Sequence, residues 1–324
     1  MRVMTVMIAA VSLLTACSGM KQAYPLLPVA EYEKMVVGRL DADYVGNDNC
    51  VSKCHAHDKI RDFSRLSVHG EQIKPETGLP LVNCESCHGP GSLAIAKVEQ
   101  NRKMFGEQGN RCDSAKLLEL KKLPPQAQSL ICLKCHSVAS TPALSHWNTS
   151  THALNELSCF SCHKLHDGPQ QKVSREKMAD LCYGCHPEIR AQFSLISRHP
   201  IRERKMDCFD CHNVHGSETP KLLKGTTPKD LCGRCHMEKS GPFVYEHGDV
   251  TENCMNCHVP HGSINRRLLS AAMPFLCIQC HNPGHSGVLA AGQKTLFANR
   301  CTDCHSAIHG TNSPDNDGLG TMRR

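Results

Sequence analysis

The pattern of apolar and polar positions along the 324 residues predicts short helices joined by loops. No segment shows the alternation of a half-buried strand, so we expect essentially no β-sheet. One candidate helix covers residues 29–40. Another begins at Thr227 and Pro228, because threonine caps a helix and proline fits its first turn. Ser174 is a similar cap candidate, and the apolar run over residues 3–14 is too short to span a bilayer.

The N-terminal apolar run has the features of an export signal. It follows a positively charged start and ends in Leu-Thr-Ala-Cys at residues 14–17, which resembles a bacterial lipoprotein signal box. We therefore predict a signal peptide over residues 1–16 and lipidation of Cys17, which would anchor the protein to a membrane without a transmembrane helix. An ordinary cleaved signal followed by a chance cysteine is the alternative. Both interpretations predict export from the cytoplasm.

Cysteine and histidine patterns identify the chemistry. Ten motifs occur: nine read Cys-x-x-Cys-His, and the first, at residues 50–55, has one extra residue. Two thiols at this spacing can form thioethers with the vinyl groups of one porphyrin, and the next histidine then lies under the iron as its proximal ligand. Zinc or a dithiol redox pair would not require a histidine after every pair. The sequence therefore predicts ten covalently attached c-type haems.

The predicted haem-binding cysteines are Cys50, Cys54, Cys84, Cys87, Cys132, Cys135, Cys159, Cys162, Cys182, Cys185, Cys208, Cys211, Cys232, Cys235, Cys254, Cys257, Cys277, Cys280, Cys301 and Cys304. The predicted proximal iron ligands are His55, His88, His136, His163, His186, His212, His236, His258, His281 and His305. Beyond these motifs and Cys17, one cysteine remains. Cys112 has no partner left for a disulfide, and we interpret it as an idle thiol.

Composition agrees with a haem-filled interior. The chain has 8 Phe, 5 Tyr and 1 Trp, so its side chains alone would form a poor core, and we expect the haem-free chain to be largely unfolded. The formal charge of +6 does not indicate nucleic-acid binding, because each haem adds two propionates. No basic run with interleaved aromatic residues supports a nucleic-acid partner either.

The motif spacing predicts a paired array. From Cys159 onward the motifs recur about every 24 residues, which is typical of repeats. Motifs preceded by leucine alternate with motifs that are followed by a second histidine. This alternation predicts five two-haem units, which open at Cys50, Cys132, Cys182, Cys232 and Cys277.

The remaining histidines nearly equal the number of distal positions. The chain has 21 His, and eleven are not proximal ligands, so two histidine ligands at every iron is the economical interpretation. Such irons offer substrates no open position, which favours electron transfer over catalysis. The distal candidates are His69, His146, His152, His166, His199, His215, His247, His261, His285 and His309. The haem of His88 lacks a nearby second histidine; we favour His146 as its ligand, with His57 or Met104 as alternatives.

Non-ligand residues around the motifs resemble a known family. The resemblance is densest at residues 198–200 (RHP), 208–217 (CFDCHNVHGS), 235–242 (CHMEKSGP), 246–247 (EH), 250–254 (VTENC) and 257–263 (CHVPHGS). On these stretches the chain, over roughly residues 45–312, resembles the MtrA-type periplasmic decahaem cytochromes of porin–cytochrome conduits. By resemblance, His199, His215, His247, His261 and His309 are distal ligands.

The resemblance also implies an architecture and a function. It implies a mostly irregular multihaem cytochrome c, with an elongated haem array of two fused pentahaem modules over residues 46–195 and 196–310. Outside the resemblance, the sequence itself predicts an N-terminal tether over residues 17–45 and a disordered, polar tail over residues 311–324. The protein would not be an enzyme. It would relay electrons across the outer membrane inside a β-barrel porin, from a periplasmic or inner-membrane cytochrome to an extracellular multihaem cytochrome, or in the reverse direction.

Two other functions stay open at this point. A periplasmic electron shuttle that donates to a soluble reductase would use the same two-histidine pattern. A multihaem reductase would need an iron with an open coordination position. If the protein does cross the outer membrane, its polar, haem-bearing loops cannot face lipid, so a barrel must surround them.

Overall fold

The computed structural model describes residues 26–53, 55, 69, 75–76, 82–105, 112–166, 175–248, 251–282, 300–303 and 305–313. Several predicted features lie outside these ranges: residues 1–16, Cys17, Cys54, His57, Ser174, His285, Cys304 and residues 314–324.

Short helices account for the regular structure of the described residues. The α-helices are α1 (Val29–Met35), α2 (Asn47–Lys53), α3 (Cys84–His88), α4 (Ser92–Ile95), α5 (Val98–Phe105), α6 (Pro125–Leu133), α7 (Thr151–Leu154), α8 (Arg175–Tyr183), α9 (Pro187–Gln192), α10 (Pro228–Gly233) and α11 (Met237–Ser240). The 3₁₀ turns are Ser114–Lys116, Leu120–Lys122, Pro142–Leu144, Trp147–Thr149, Cys159–Ser161, Cys208–Asp210, Pro220–Leu222, Cys254–Asn256, Arg266–Leu268, Cys277–Gln279 and Cys301–Asp303.

Extended pairing is limited to isolated bridges. Within the described ranges there are four such bridges and no strand, which confirms a mostly irregular chain with short helices and essentially no β-sheet. None of the helices in this part of the chain is long and apolar enough to cross a membrane.

Two helices that the sequence predicts are present, one with the predicted start and one shorter than predicted. The Thr227 side chain accepts a hydrogen bond from the Asp230 amide, and Pro228 occupies the first helical position, so that predicted start is confirmed. The helix predicted over residues 29–40 begins at Val29 but ends at Met35. Gly38 beyond it has a φ of +79°, in the left-handed region where a right-handed helix cannot continue.

The chain divides into two compact units, Met1–Gln171 and Lys172–Arg324. The first contains four of the ten motifs and the second contains six. The module boundary predicted between residues 195 and 196 concerns how haems group, and it stays a prediction.

The protein core is small. In the first unit, Tyr32 and Val36 pack against Ala127 and Ile131 of α6, and this is the core cluster of buried residues. Among the described residues, no large side chain is fully buried. Burying an apolar side chain stabilises a fold by about 1.5–3 kcal/mol. Because few residues are buried here, most of the stabilisation must come from another apolar body. Bound porphyrins would supply that apolar body.

Candidate haem-binding sites

The described haem-attachment motifs share one local geometry, a single helical turn. In eight of them the amide of the proximal histidine donates to the carbonyl of the first cysteine, over 2.8–3.0 Å. This turn brings both cysteines and the histidine close enough together to meet one porphyrin.

The first motif accommodates its extra residue within the same closure. The amide of His55 donates to the carbonyl of Cys50 at 3.1 Å, five residues back instead of four. The wider turn is a local π-type bulge, which absorbs one added residue and restores the hydrogen bond. The histidine of this motif therefore returns to its first cysteine as in the other motifs.

Alternate motifs begin with a polar cap. Asn83, Asp207 and Asn253 each precede a first cysteine and accept hydrogen bonds from amides of the turn, and Ser158 forms a capping box with Ser161. These caps satisfy amides that the start of a turn leaves without a partner. They occupy the second motif in four of the five predicted two-haem units, so the first and second motifs of these units also differ in how their turns start.

The first cysteines of neighbouring motifs lie side by side. The hydrogen-bonded pairs are Cys50 with Cys84, Cys132 with Cys159, Cys182 with Cys208, Cys232 with Cys254, and Cys277 with Cys301. In the first pair, the hydrogen bond with Cys50 lowers the pKa of the Cys84 thiol to about 7. These contacts follow the five two-haem units that the spacing predicted.

Six proximal histidines face a distal candidate across a gap of constant width. The pairs, with their ring-centroid distances, are His136 and His69 (6.1 Å), His88 and His166 (6.1 Å), His236 and His199 (6.3 Å), His212 and His261 (6.1 Å), His281 and His247 (5.8 Å), and His258 and His309 (6.2 Å).

This gap fits one metal ion between two imidazoles. With each metal–nitrogen bond about 2 Å long and each ring centre about 1.1 Å beyond its nitrogen, the ring centres would be about 6.2 Å apart. Stacked imidazoles in direct contact would be much closer. The residues therefore fit a haem iron with two histidine ligands at each of these six places.

The partner of His88 differs from the sequence expectation. His166 faces it, rather than His146; Met104 is 60% exposed, and His57 lies outside the described residues. A regularity could have indicated this choice. His261 and His309 each belong to the motif two positions after that of the proximal histidine they face, and His166 stands in the same relation to His88.

Hydrogen bonds at Nδ1 orient several of these rings. Nδ1 of His212 donates to the Lys221 carbonyl at 2.8 Å, and Nδ1 of His258 donates to the Arg267 carbonyl at 2.8 Å. An imidazole that donates from Nδ1 leaves Nε2 as the nitrogen that can bind a metal, and the bond also makes the ring a stronger donor.

The two carbonyl acceptors lie on strained turns that repeat. Lys221 has φ +59° and ψ +24°, and Arg267 has φ +59° and ψ +30°. Left-handed backbone costs a residue with a side chain of order 1–3 kcal/mol, and it persists where surrounding contacts hold it. Here the holding contacts include the bridges His212–Leu223 and His258–Leu269, which close each loop around its proximal histidine.

Burial keeps four of the facing imidazoles in the form that binds metal. It lowers the pKa of His69, His88, His261 and His309, with help from the neighbouring histidine or lysine charges. A neutral ring has a free nitrogen lone pair at neutral pH, whereas a protonated ring cannot coordinate iron.

A cavity of about 310 Å³ lies beside the motif of Cys182. Tyr183 and Phe193 form part of its wall, and Arg190 and Arg202 line it as well. The hydroxyl oxygen of Tyr183 is buried there without a hydrogen-bond partner. An apolar wall combined with guanidinium groups and an unsatisfied hydroxyl fits an apolar ring that carries carboxylates, as a porphyrin does.

Several cysteines and histidines of interest take no part in the pairs described above. Cys17, Cys54, His57, His285 and Cys304 lie outside the described residues. Cys112 is half-buried and forms no disulfide within the described part of the chain.

Comparison with known proteins agrees with this geometry. The chain is 34% identical over 281 residues to the protein named multiheme cytochrome MtrA from Shewanella baltica (strain OS185), a match that covers 83% of this chain and 79% of that protein. The family described as "Doubled CXXCH motif" matches residues 152–191, 199–241 and 247–285. Each matched stretch holds two motifs, grouped one motif out of phase with the thiol pairs.

Proposed function

The chain belongs to the MtrA family of multihaem electron-transfer cytochromes, and from that premise we propose that it holds ten haems, each between two histidines, and conducts electrons across the outer membrane. The observation that supports this most directly is the set of six histidine pairs with ring centroids 5.8–6.3 Å apart.

The number of histidines outside the six pairs matches the number of haems that still need a distal ligand. Six pairs leave four proximal histidines, His55, His163, His186 and His305, and four distal candidates, His146, His152, His215 and His285. We assign these four candidates to the four remaining haems as a set. His57 is then the histidine in excess.

Two strong ligands at each iron favour conduction over catalysis. A haem iron supplies reversible one-electron chemistry, and the protein residues determine how much the site must rearrange when it gains or loses an electron. Half-buried imidazoles that donate from Nδ1 to a backbone carbonyl, such as His212 and His258, are held in place in both oxidation states. Substrates then have no open position to bind.

The outer-membrane role rests on the family relationship and the N-terminal sequence. A lipidated Cys17 would tether the chain to a membrane leaflet and raise its effective concentration near a membrane partner. The loops around the motifs expose polar backbone, which lipid cannot satisfy, so we propose a β-barrel porin as the sheath. A periplasmic or inner-membrane cytochrome would exchange electrons at one end, and an extracellular multihaem cytochrome at the other.

Reconstitution tests this function. Liposomes enclosing a reducible dye would receive electrons from an external donor when the holoprotein and the porin are both present. Neither protein alone should support the transfer, which is measured as dye reduction. Dye reduction by the holoprotein without porin would contradict the conduit. Efficient reduction of a soluble reductase, with no transfer across any vesicle, would favour the periplasmic shuttle.

Spectroscopy tests the cofactor content separately. The pyridine haemochrome assay should give ten haems per chain, which also tests the first motif. Near-infrared magnetic circular dichroism should show only the band of two-histidine low-spin haem. A methionine–iron band, or a reduced protein that binds carbon monoxide, would contradict the proposed ligation.

A further inference from the structure

One short segment, residues 258–263, supplies ligands to two haems. It begins with His258, the proximal histidine of one haem. Three residues later His261 faces His212, the proximal histidine of another, with ring centroids 6.1 Å apart. Two irons are therefore joined through three peptide units.

The same segment orients the ligand of a third haem. The carbonyl of Pro260 accepts a hydrogen bond from Nδ1 of His199 at 2.7 Å. His199 faces the proximal His236 with ring centroids 6.3 Å apart. A displacement of Pro260 would therefore change the hydrogen bond of an imidazole at this third iron.

The distal imidazole of His261 is held from the other side by α9. Its Nδ1 donates to the side-chain carbonyl oxygen of Gln192 at 3.1 Å, and the buried ring of Phe193 packs against it with centroids 5.4 Å apart. Gly262 lies directly against the Gln192 carbonyl, where a Cβ atom would overlap it. The segment thus has one close-fitting position relative to α9.

Backbone pairing fixes the end of the segment. Ser263 and Ser197 exchange two backbone hydrogen bonds, at 3.1 and 2.8 Å. The hydroxyl of Ser263 also donates to the Leu269 carbonyl at 2.5 Å. Residues 258–263 are therefore anchored at both ends and at His261, which is the requirement for moving as one body.

We propose that Gln192 and the Pro260 carbonyl are positioning groups for electron transfer, and that segment 258–263 couples the haems of His212, His236 and His258. This inference rests on the proposed two-histidine ligation. Gln192 acts through His261 on a single iron. The segment acts on all three irons, because any shift of its backbone changes a ligand or a ligand hydrogen bond at each.

The side chain at position 192 should tune one reduction potential in a predictable order. A stronger acceptor at Nδ1 gives the ring more imidazolate character, which stabilises ferric iron and lowers the potential. Gln192→Leu removes the acceptor and should raise the potential of the haem of His212, whereas Gln192→Glu should lower it. In an EPR-monitored redox titration, one of the ten low-spin signals should shift. Its reduction potential should be highest with Leu at position 192, intermediate with Gln and lowest with Glu.

Gly262→Ala tests the coupling. The added methyl group should displace the segment from α9 and shift the signals of the haems of His212, His236 and His258 together. The control is Gly46→Ala, which lies outside the haem-attachment motifs and where a Cβ would meet nothing within 4 Å; it should shift none of these signals. If Gly262→Ala impairs haem loading, Ser263→Ala provides a milder displacement and should shift the same signals by less.

The outcomes separate the inference from the proposed function. If the wild-type protein lacked two-histidine haems, the proposed ligation would fail before any variant was compared. If its haems are two-histidine but Gly262→Ala or Ser263→Ala shifts a single signal, the coupling is wrong. An unordered response to the Gln192 substitutions would overturn its positioning role.

Discussion

The imidazole of His166 lies nearly parallel to that of His88, with ring centroids 6.1 Å apart and an interplanar angle of 22°. The two residues are separated by two further haem-attachment motifs in the sequence. Because the gap fits one iron, we propose His166 as the distal ligand of that haem, for which the sequence alone left His146, His57 and Met104 open.

Removal of His166 should open that haem. In His166→Ala the iron of His88 would lose one ligand, so the reduced protein should bind about one carbon monoxide per chain and the oxidised protein should show a high-spin EPR signal. Added imidazole should restore the low-spin state. His57→Ala is the control and should bind none. Absence of carbon monoxide binding in His166→Ala would refute the assignment.

The angles between facing imidazole planes should divide the EPR spectrum into two groups. His88/His166, His281/His247 and His258/His309 are near parallel, at 22°, 19° and 14°. His212/His261, His236/His199 and His136/His69 are tilted by 35°, 48° and 55°. When the two imidazole planes are parallel, both rings donate into the same iron d orbital, and its energy separates from that of the second such orbital. When the planes are tilted, the energies of these two d orbitals lie closer together.

We therefore expect two kinds of low-spin ferric signal from the oxidised protein. At least three haems should give ordinary rhombic spectra, and the most tilted should give more anisotropic spectra that extend to lower field. Spin quantification at liquid-helium temperature provides the measurement. A spectrum that is uniform across all haems would contradict the observed range of angles.

Gly310 should be required for the distal ligand His309. Its φ is +131°, and a Cβ there would overlap the ring of Phe243, while Tyr245 and Thr311 exchange two backbone hydrogen bonds of 3.0 Å nearby. Gly310→Ala should cost about 1–3 kcal/mol and move His309 away from its iron. The reduced variant should bind up to one carbon monoxide per chain.

Gly46→Ala is a matched control for this substitution. Gly46 also has a positive φ, +80°, but a Cβ there would meet nothing within 4 Å. The Gly46→Ala substitution introduces similar backbone strain without displacing a ligand, so this variant should bind no carbon monoxide. Equal binding by both variants would show that strain alone, and not the overlap with Phe243, opens the haem.

Local sequence predicted the irregular fold with short helices and the Thr227 helix start, since both depend on neighbouring residues. It did not predict the partner of His88, because a distal histidine is brought to its iron by tertiary structure. The left-handed Lys221 was equally unpredictable. A lysine gives no local signal for that conformation, which exists because its carbonyl meets His212.

Glu85 is a second residue whose importance arises only from tertiary contacts. It lies between the two cysteines of its motif and is 3% exposed. Its carboxylate accepts hydrogen bonds from the amides of Val45, Gly46 and Gly91, at 2.8–3.2 Å. These bonds tie the segment before the first motif to the second, so Glu85 connects the polypeptide around the first haem pair.

Glu85→Gln should destabilise the holoprotein by about 2–4 kcal/mol, because the amide group replaces one acceptor oxygen by a donor and weakens the charge-assisted bonds that remain. Guanidinium unfolding followed by haem absorbance measures the loss. Glu31→Gln is the control: the ion pair of Glu31 with Lys34 at 2.7 Å is exposed, and its loss should cost less than about 1 kcal/mol. Equal midpoints for the two variants would mean that the buried carboxylate does not hold these segments together.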